Sequence, residues 1–339
     1  MATLIAKQDL SRDEADWAMS QIMDGDSSEA EIGAFMMALR SKGESVEELS
    51  GLVDVMLRRC VLLDTGSDAL DIVGTGGDMV GTVNISTMAS IVAAAAGVGV
   101  MKHGSRSASG KTGSAEMLEV LGIRLDLSPQ RVAEVYKAVG ITFFFAPVFH
   151  PAMRFAAPAR KELGTATVFN ILGPLANPAR PRAAAIGVAN ERMHPVMAQV
   201  LSDRGVEGFV FRGDDGLDEI TLATSTSILS IGKGEIASDR IDAKDFGLTN
   251  APIEALVGGD AAENARITKA IFSGEKGAPR DAVLLNAAAA IAAFDGEKDL
   301  GIHERLNKSL RKAATAVDSG AAESLLEKWA LLTQEIVSI

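Results

Sequence analysis

The 339-residue sequence predicts an α/β protein, with a small all-α N-terminal domain over residues 1–68 and a larger α/β domain over residues 69–339. The larger domain is expected to hold a central, mostly parallel sheet flanked by helices. Three observations carry this expectation. Ser11 to Glu14, Ser28 to Glu31 and Ser45 to Glu48 each read as a helix start followed by an apolar run. From Asp71 onward, short β-rich runs alternate with helical stretches, the pattern of βαβ units. Beyond residue 260 the pattern returns to helix.

The N-terminal helices follow from capping chemistry. In Ser-x-x-Glu the hydroxyl accepts from the backbone of the third helical residue, and the Glu side chain accepts in return from the cap N–H. Ile32, Phe35, Met36 and Leu39, and then Leu49, Leu52, Val53 and Met56, recur at i, i+3, i+4, i+7 and define one apolar stripe per helix. Gly43 stops the second helix. Three helices of this size bury little alone, so the unit is expected to lean on the larger domain. Their apolar faces exceed what they can hide together, which predicts a homodimer contact.

Strands are expected at Asp71–Val73, Val98–Lys102, Thr142–Phe145, Ala184–Val188 and Gly208–Phe211. Helices fill Ser86–Ala96, Ser114–Leu121, Ser128–Val139 with Pro129 at its first position, and Glu191–Arg204. Between Glu219 and Ile236 the pattern reads strand, turn, strand, with Gly232 and Gly234 turning. Ala261–Phe272, Arg280–Phe294, His303–Val317 and Ala321–Val337 complete the helices.

Composition narrows the function. The net charge is −12, from 33 Lys and Arg against 45 Asp and Glu, which disfavours nucleic acid as a partner. The single Cys60 excludes a disulfide framework and a Cys-based zinc site. His103, His150, His194 and His303 are too scattered to predict a His metal cluster. The longest apolar run, Ile91–Met101, contains Gly97 and Gly99 and falls far short of the ~20 residues that a membrane span needs. Asp9, Arg12, Asp13 and Glu14 arrive too early for a signal-peptide core, so a cytoplasmic protein without a membrane partner is expected.

Against this acidic total, nine glycines lie between Gly74 and Gly113. The run from Asp71 to Asp78 is a strand entering Gly74, Gly76 and Gly77, and Gly81 to Thr87 opens a helix. Such a junction either is a tight capped turn or lets backbone N–H groups and a helix N-terminus gather on an anion. It is not a dinucleotide fingerprint, because Met79 stands where the third glycine should be. A second loop, Lys102 to Ser114, collects Lys102, His103, Arg106, Lys111 and four serines. It misses the P-loop pattern by one residue, since Gly104 precedes the required position, Ser105. It is either a solvated basic turn or, as its charge and small donors suit, a site for a multiply charged phosphate. A third loop, Gly213 to Glu219, follows a strand and offers carboxylates where open α/β sheets bind ligands. Beside two anion loops, those carboxylates point to Mg²⁺.

Several motifs occur in order: Asp71 to Asp78, Asn84-Ile-Ser-Thr87, Lys102-His-Gly-x-Arg106, Phe169-Asn-x-Leu-Gly-Pro174 with Asn177-Pro178, and Asp215-Gly-Leu-Asp-Glu219. Together they resemble the anthranilate phosphoribosyltransferases, of the nucleoside phosphorylase-like class, over essentially the whole chain. The resemblance implies that helices from about 165–180 join the helical domain. It implies Mg²⁺-dependent displacement of pyrophosphate from phosphoribosyl pyrophosphate (PRPP) by the amine of anthranilate, a step in tryptophan synthesis. PRPP would be held by Gly74, Gly77, Asp78, Thr82, Asn84, Ile85, Ser86, Thr87, Lys102, His103, Gly104, Ser105, Arg106, Ser107, Ala108, Ser109, Gly110 and Ser114. Lys102 and Asp78 would serve catalysis, and Ser86, Asp218 and Glu219 would hold Mg²⁺. Gly74, Ser105, His150 and Arg160 would contact anthranilate, with Arg160 on its carboxylate.

One position departs from the family. Asn usually follows Lys-His-Gly, but here Ser105 does, and a hydroxyl is shorter with one donor. Altered acceptor binding with PRPP binding intact is the expectation. The other readings are a nucleoside phosphorylase-like enzyme, a P-loop NTPase, and a non-catalytic transferase-like binding protein. The acidic total and the Asp218-Glu219 pair weigh against them.

Overall fold

The computed structural model describes residues 1–63, 65–106 and 112–336. Among them, seven strands form one sheet: β1 (Leu70–Gly74), β2 (Val100–Gly104), β3 (Ile141–Phe145), β4 (Ala183–Gly187), β5 (Glu207–Gly213), β6 (Thr226–Gly232) and β7 (Glu235–Ile241). The order is β3-β2-β1-β4-β5-β6-β7. The five strands from β3 across to β5 are parallel, and β6 and β7 add antiparallel to that edge.

Helices α1 (Ala2–Ile5), α2 (Arg12–Asp24), α3 (Glu29–Lys42) and α4 (Val46–Arg59) precede the sheet. Within the α/β part follow α5 (Ile85–Ala95), α6 (Ser114–Val120) and α7 (Pro129–Val139). A run of short helices comes next: α8 (Ala146–Phe149), α9 (Ala157–Leu163) and α10 (Val168–Leu175). The remaining helices are α11 (Met193–Asp203), α12 (Ala261–Phe272), α13 (Ala278–Asp295), α14 (Ile302–Asp318) and α15 (Ala321–Glu335).

The three serine caps form as expected, each with the hydroxyl accepting from the third residue's N–H and the Glu answering on the cap N–H. The apolar stripes of α3 and α4 are buried. They join a core that also takes in α9, α10 and α11. This core reaches one face of the sheet, where Ala184 and Ile186 of β4 and Val210 of β5 point. The alternate residues Ala183, Ala185, Phe209 and Phe211 point into a second core under α5, α13 and α14. Period-2 alternation therefore buries both faces of the sheet, as parallel strands require.

Two expectations are corrected. The strand expected to end at Lys102 runs on through His103 to Gly104, so the second loop starts later than expected, and Lys102 and His103 are buried. Residues Glu219 to Ser225 are irregular, and the antiparallel pair begins only at Thr226. The backbone there is committed elsewhere: the N–H of Ile220 donates to Asn286 Oδ1, and that of Thr221 to Thr226 Oγ1.

Candidate active site

The strand order reverses at β1: β2 lies on one side, and β4 takes the other. The carboxyl ends of β1 and β4 thus border the crevice where open α/β sheets bind ligands. Gly74 pairs with Gly187 there, and Thr75 N–H donates to Gly187 O at 3.0 Å. Asp218 fills the space that both glycines leave. A Cβ on Gly74 would sit 2.2 Å from Asp218 Oδ2, and one on Gly187 would sit 1.7 Å from Asp218 O. Asp218 Oδ2 in turn accepts from the N–H of Gly76 at 2.6 Å. Beyond it the chain turns through left-handed conformations at Gly76, Gly77 and Gly81, with φ between +70° and +88°, and even Met79 adopts φ +62°.

Glu219 reaches the start of α5, where its Oε1 accepts from Ser86 N–H at 3.1 Å. Its Oε2 is buried with no hydrogen-bond partner among the described residues. Burial pushes the Asp218 carboxyl up to about 7, aided by the adjacent charge of Asp78, and burial together with Asp218 drives Glu219 well up. Lys102 runs beneath them from β2, donating to Ile72 O at 2.5 Å and Ser86 Oγ at 3.3 Å. Its burial lowers its pKa, which the charges of Asp71 and Glu219 oppose. Asp71 is buried too and held at about 6; it accepts from the N–H of His103 and from Asn177 Nδ2.

The donor set fits a divalent cation. Three neighbouring carboxylates strain against one another, one oxygen is orphaned, and all the donors are hard oxygen. Among the described residues no group of three or more His, Cys, Asp or Glu side chains could hold a metal ion. A cation there would need one or two of these carboxylates to be joined by phosphate and water, as is usual for Mg²⁺.

Of the other expected residues, Thr82 bridges to Val257, Asn84 stands at the N-cap position of α5, and Ile85 points into the core. Thr87 Oγ1 is buried without a partner among the described residues. Gly104 ends β2, and its missing Cβ leaves room for the Phe143 ring. Ser105 is exposed, and Ser114 opens α6. Arg106 is drawn into a two-bond pair with Glu119 at 2.6 and 2.7 Å. Ser107, Ala108, Ser109 and Gly110 lie outside the described residues.

His103 and His150 stand with ring centres 5.0 Å apart. His103 Nδ1 bonds to Gly173 O, and His150 Nε2 to Ala176 O, each at 2.9 Å. Both carbonyls accept, so these nitrogens carry the protons. Burial depresses His103 to about 3, with help from His150, and burial depresses His150 to about 4, so both rings are neutral at pH 7. Neutral His103 leaves Nε2 as a buried acceptor with no partner among the described residues. Arg160, on α9, lies 5.6 Å over the Phe169 ring and pairs with no carboxylate among the described residues.

Three site residues were not singled out from sequence. Gly187 is needed only because Asp218 crosses it. Asn286, in the middle of α13, accepts from Ile220 N–H and donates to Ile220 O and Ala282 O, clamping the residue after Glu219. Asn264, at the start of α12, bonds to Asn84. A lone Asn inside the alanine-rich run of α13 is a sequence signal for the second of these.

The chain belongs to the glycosyl transferase family. The helical bundle domain of the glycosyl transferase family matches residues 1–60, and its a/b domain matches residues 66–323. Within that class the chain belongs to the anthranilate phosphoribosyltransferase family. It is 50% identical to the anthranilate phosphoribosyltransferase of Rhodococcus jostii (strain RHA1), covering all of this chain and 93% of that protein. It is 51% identical to the Nocardioides sp. enzyme, over 98% and 97%. The crystal structure of the Thermus thermophilus enzyme is similar with a TM-score of 0.90 at 38% identity, covering 98% of each chain. The Saccharomyces cerevisiae enzyme in complex with PRPP and Mg has a TM-score of 0.85 at 26% identity, over 96% and 92%.

Proposed function

We propose that this chain transfers the phosphoribosyl group from PRPP to the amine of anthranilate, releasing pyrophosphate, with Mg²⁺ as its cofactor. The observation that carries the reading is the meeting of Asp218 with Gly76 N–H and of Glu219 with Ser86 N–H at the ends of β1 and α5. It sets carboxylates, backbone donors and a helix N-terminus around one crevice. Gly74, Gly77, Asp78, Thr82 and Asn84 to Thr87 would receive PRPP, with Ser86, Asp218 and Glu219 holding the metal. Bound there with PRPP, Mg²⁺ would offset the charge of the departing pyrophosphate.

The chain's own residues account for the rest. Cleaving the C1–O bond builds positive charge on the sugar and negative charge on the leaving group, so catalysis is mainly positioning and charge stabilisation. Backbone N–H groups and the start of α5 meet the phosphates, and Lys102 adds positive charge beneath them. An aromatic amine is already neutral at pH 7 and needs no strong base. Neutral His103 can accept an N–H through Nε2 and so orient such an amine. Arg160, unpaired among the described carboxylates, is free to take the acceptor's carboxylate.

The proposal extends to the helical unit of residues 1–68, joined by α10, as the homodimer contact, and to the cytoplasm as the compartment. Among the described residues no helix is long and apolar enough to cross a membrane. The test is to mix protein, PRPP, anthranilate and Mg²⁺ and follow the loss of anthranilate fluorescence. Turnover that stops on chelation supports the reading, and folded protein without turnover overturns it. Analytical ultracentrifugation decides the dimer.

A further inference from the structure

Asn84 occupies the N-cap of α5 but does not cap it. An Asn at that position ordinarily accepts from the N–H of the second or third helical residue. Here the side chain makes no such bond. Its Oδ1 instead accepts from Asn264 Nδ2 at 2.9 Å. Asn264 is buried, only 1% exposed, and its own Oδ1 accepts from Gly259 N–H at 2.8 Å. Asn84 Nδ2 faces Thr112 O at 3.4 Å, and Thr112 Oγ1 donates to Gly259 O at 3.1 Å.

The circuit fixes which end of each amide points where. Gly259 N–H can only donate, so Asn264 must offer it oxygen and turn its NH₂ to Asn84. Asn84 must then answer with oxygen and leave its NH₂ toward Thr112 O, which can only accept. Backbone groups of unambiguous polarity stand at both ends, so neither amide can flip without placing like against like. The segments around Asn264 are held too: Gly258 N–H donates to Gly81 O, Val83 N–H to Leu256 O, and a Cβ on Gly258 would meet Asn264 Oδ1 at 2.4 Å.

We propose that Asn264 is a positioning residue for the donor substrate: it draws the Asn84 amide off the cap of α5 and so keeps the Thr87 N–H open to PRPP, since in that first turn Ile85 N–H already donates to Val83 O and Ser86 N–H to Glu219 Oε1. This rests on the reading of the Asn84 loop as the PRPP site. Without Asn264, the Asn84 side chain is free to fold back on the Thr87 N–H and competes there with the phosphates.

Calorimetry of PRPP binding to the full chain, alongside KM for each substrate and thermal melting, tests this with Asn264→Ala and Asn264→Asp. Wild-type binding of PRPP checks the site itself, independently of Asn264. With it established, both variants should bind PRPP about fivefold more weakly, the size of one cap interaction. KM for PRPP should rise by the same factor, with KM for anthranilate unchanged. Asn264→Asp keeps the acceptor for Gly259 but cannot donate to Asn84, so it decides the matter if the alanine variant fails to fold. Wild-type PRPP affinity in a folded Asn264→Asp variant, or equal rises in both KM values, would overturn the proposal.

Discussion

Replacing Gly187 by alanine puts a methyl group where the backbone of Asp218 already runs. The new Cβ would lie 1.7 Å from Asp218 O and 2.4 Å from its carbonyl carbon, and 3.2 Å from Phe211 Cε2. Ordinary contact begins near 3.4 Å, so residue 218 must retreat by about 1.7 Å, the difference between the two distances. It cannot do so alone. Its Oδ2 is bound to Gly76 N–H, and two residues later Ile220 is clamped by Asn286. Overpacking of this kind costs about 1–3 kcal/mol of stability. A catalytic group misplaced by about 1 Å costs roughly a hundredfold in rate. Gly187→Ala should therefore lower kcat/KM about a hundredfold in the anthranilate fluorescence assay and raise the Mg²⁺ concentration for half-maximal rate. Gly33→Ala is the control, since nothing lies within 4 Å of its added Cβ on α3, and it should leave the kinetics unchanged. A Gly187→Ala enzyme with wild-type rate and Mg²⁺ requirement would refute the assignment of Asp218 to the reaction.

Ser105→Asn should restore an amide to the acceptor side and lower KM for anthranilate about fivefold, one hydrogen bond's worth, with KM for PRPP unchanged; no change in KM or kcat would sink the idea. Asn286→Ala strands the N–H and C=O of Ile220 and should cost about 1–3 kcal/mol in urea unfolding. For pH, burial holds His150 neutral down to about 4, whereas the unfolded ring titrates at about 6.5. Between those values the unfolded chain binds a proton that the folded one refuses, so this stability is full above pH 6.5 and is lost as pH falls toward 4. His150→Gln, which still offers a donor to Ala176 O, should flatten the acid limb of an unfolding-versus-pH curve, and an unchanged slope would exclude the ring as its source.

What could be read from residue order was local. Ser11, Ser28 and Ser45 with their glutamates announce helices because a capping box is complete within four residues. The glycine-rich stretch was legible as a strand-to-helix junction for the same reason: strand, glycines and helix start are contiguous. Periodicity alone gave no elements for residues 146–175, where Pro147, Pro151 and Pro158 fall among helices too short to show a period, and the helices of about 165–180 were expected only from the resemblance. Lys102 was read as the junction of a strand and a cationic loop, but charge in a sequence carries no sign of burial. Only the pairing of β2 between β1 and β3 encloses it.

The class of fold, the family and the loops that meet at the site all follow from residue order, because caps, periodicity and motifs depend on neighbours along the chain. Which atoms face one another emerges only from the folded chain: Asp218 across Gly74 and Gly187, Asn286 on Ile220, Asn264 on Asn84. Those contacts span up to 180 residues. Their geometry is set by strand order and by the burial of both sheet faces, and no local pattern records either.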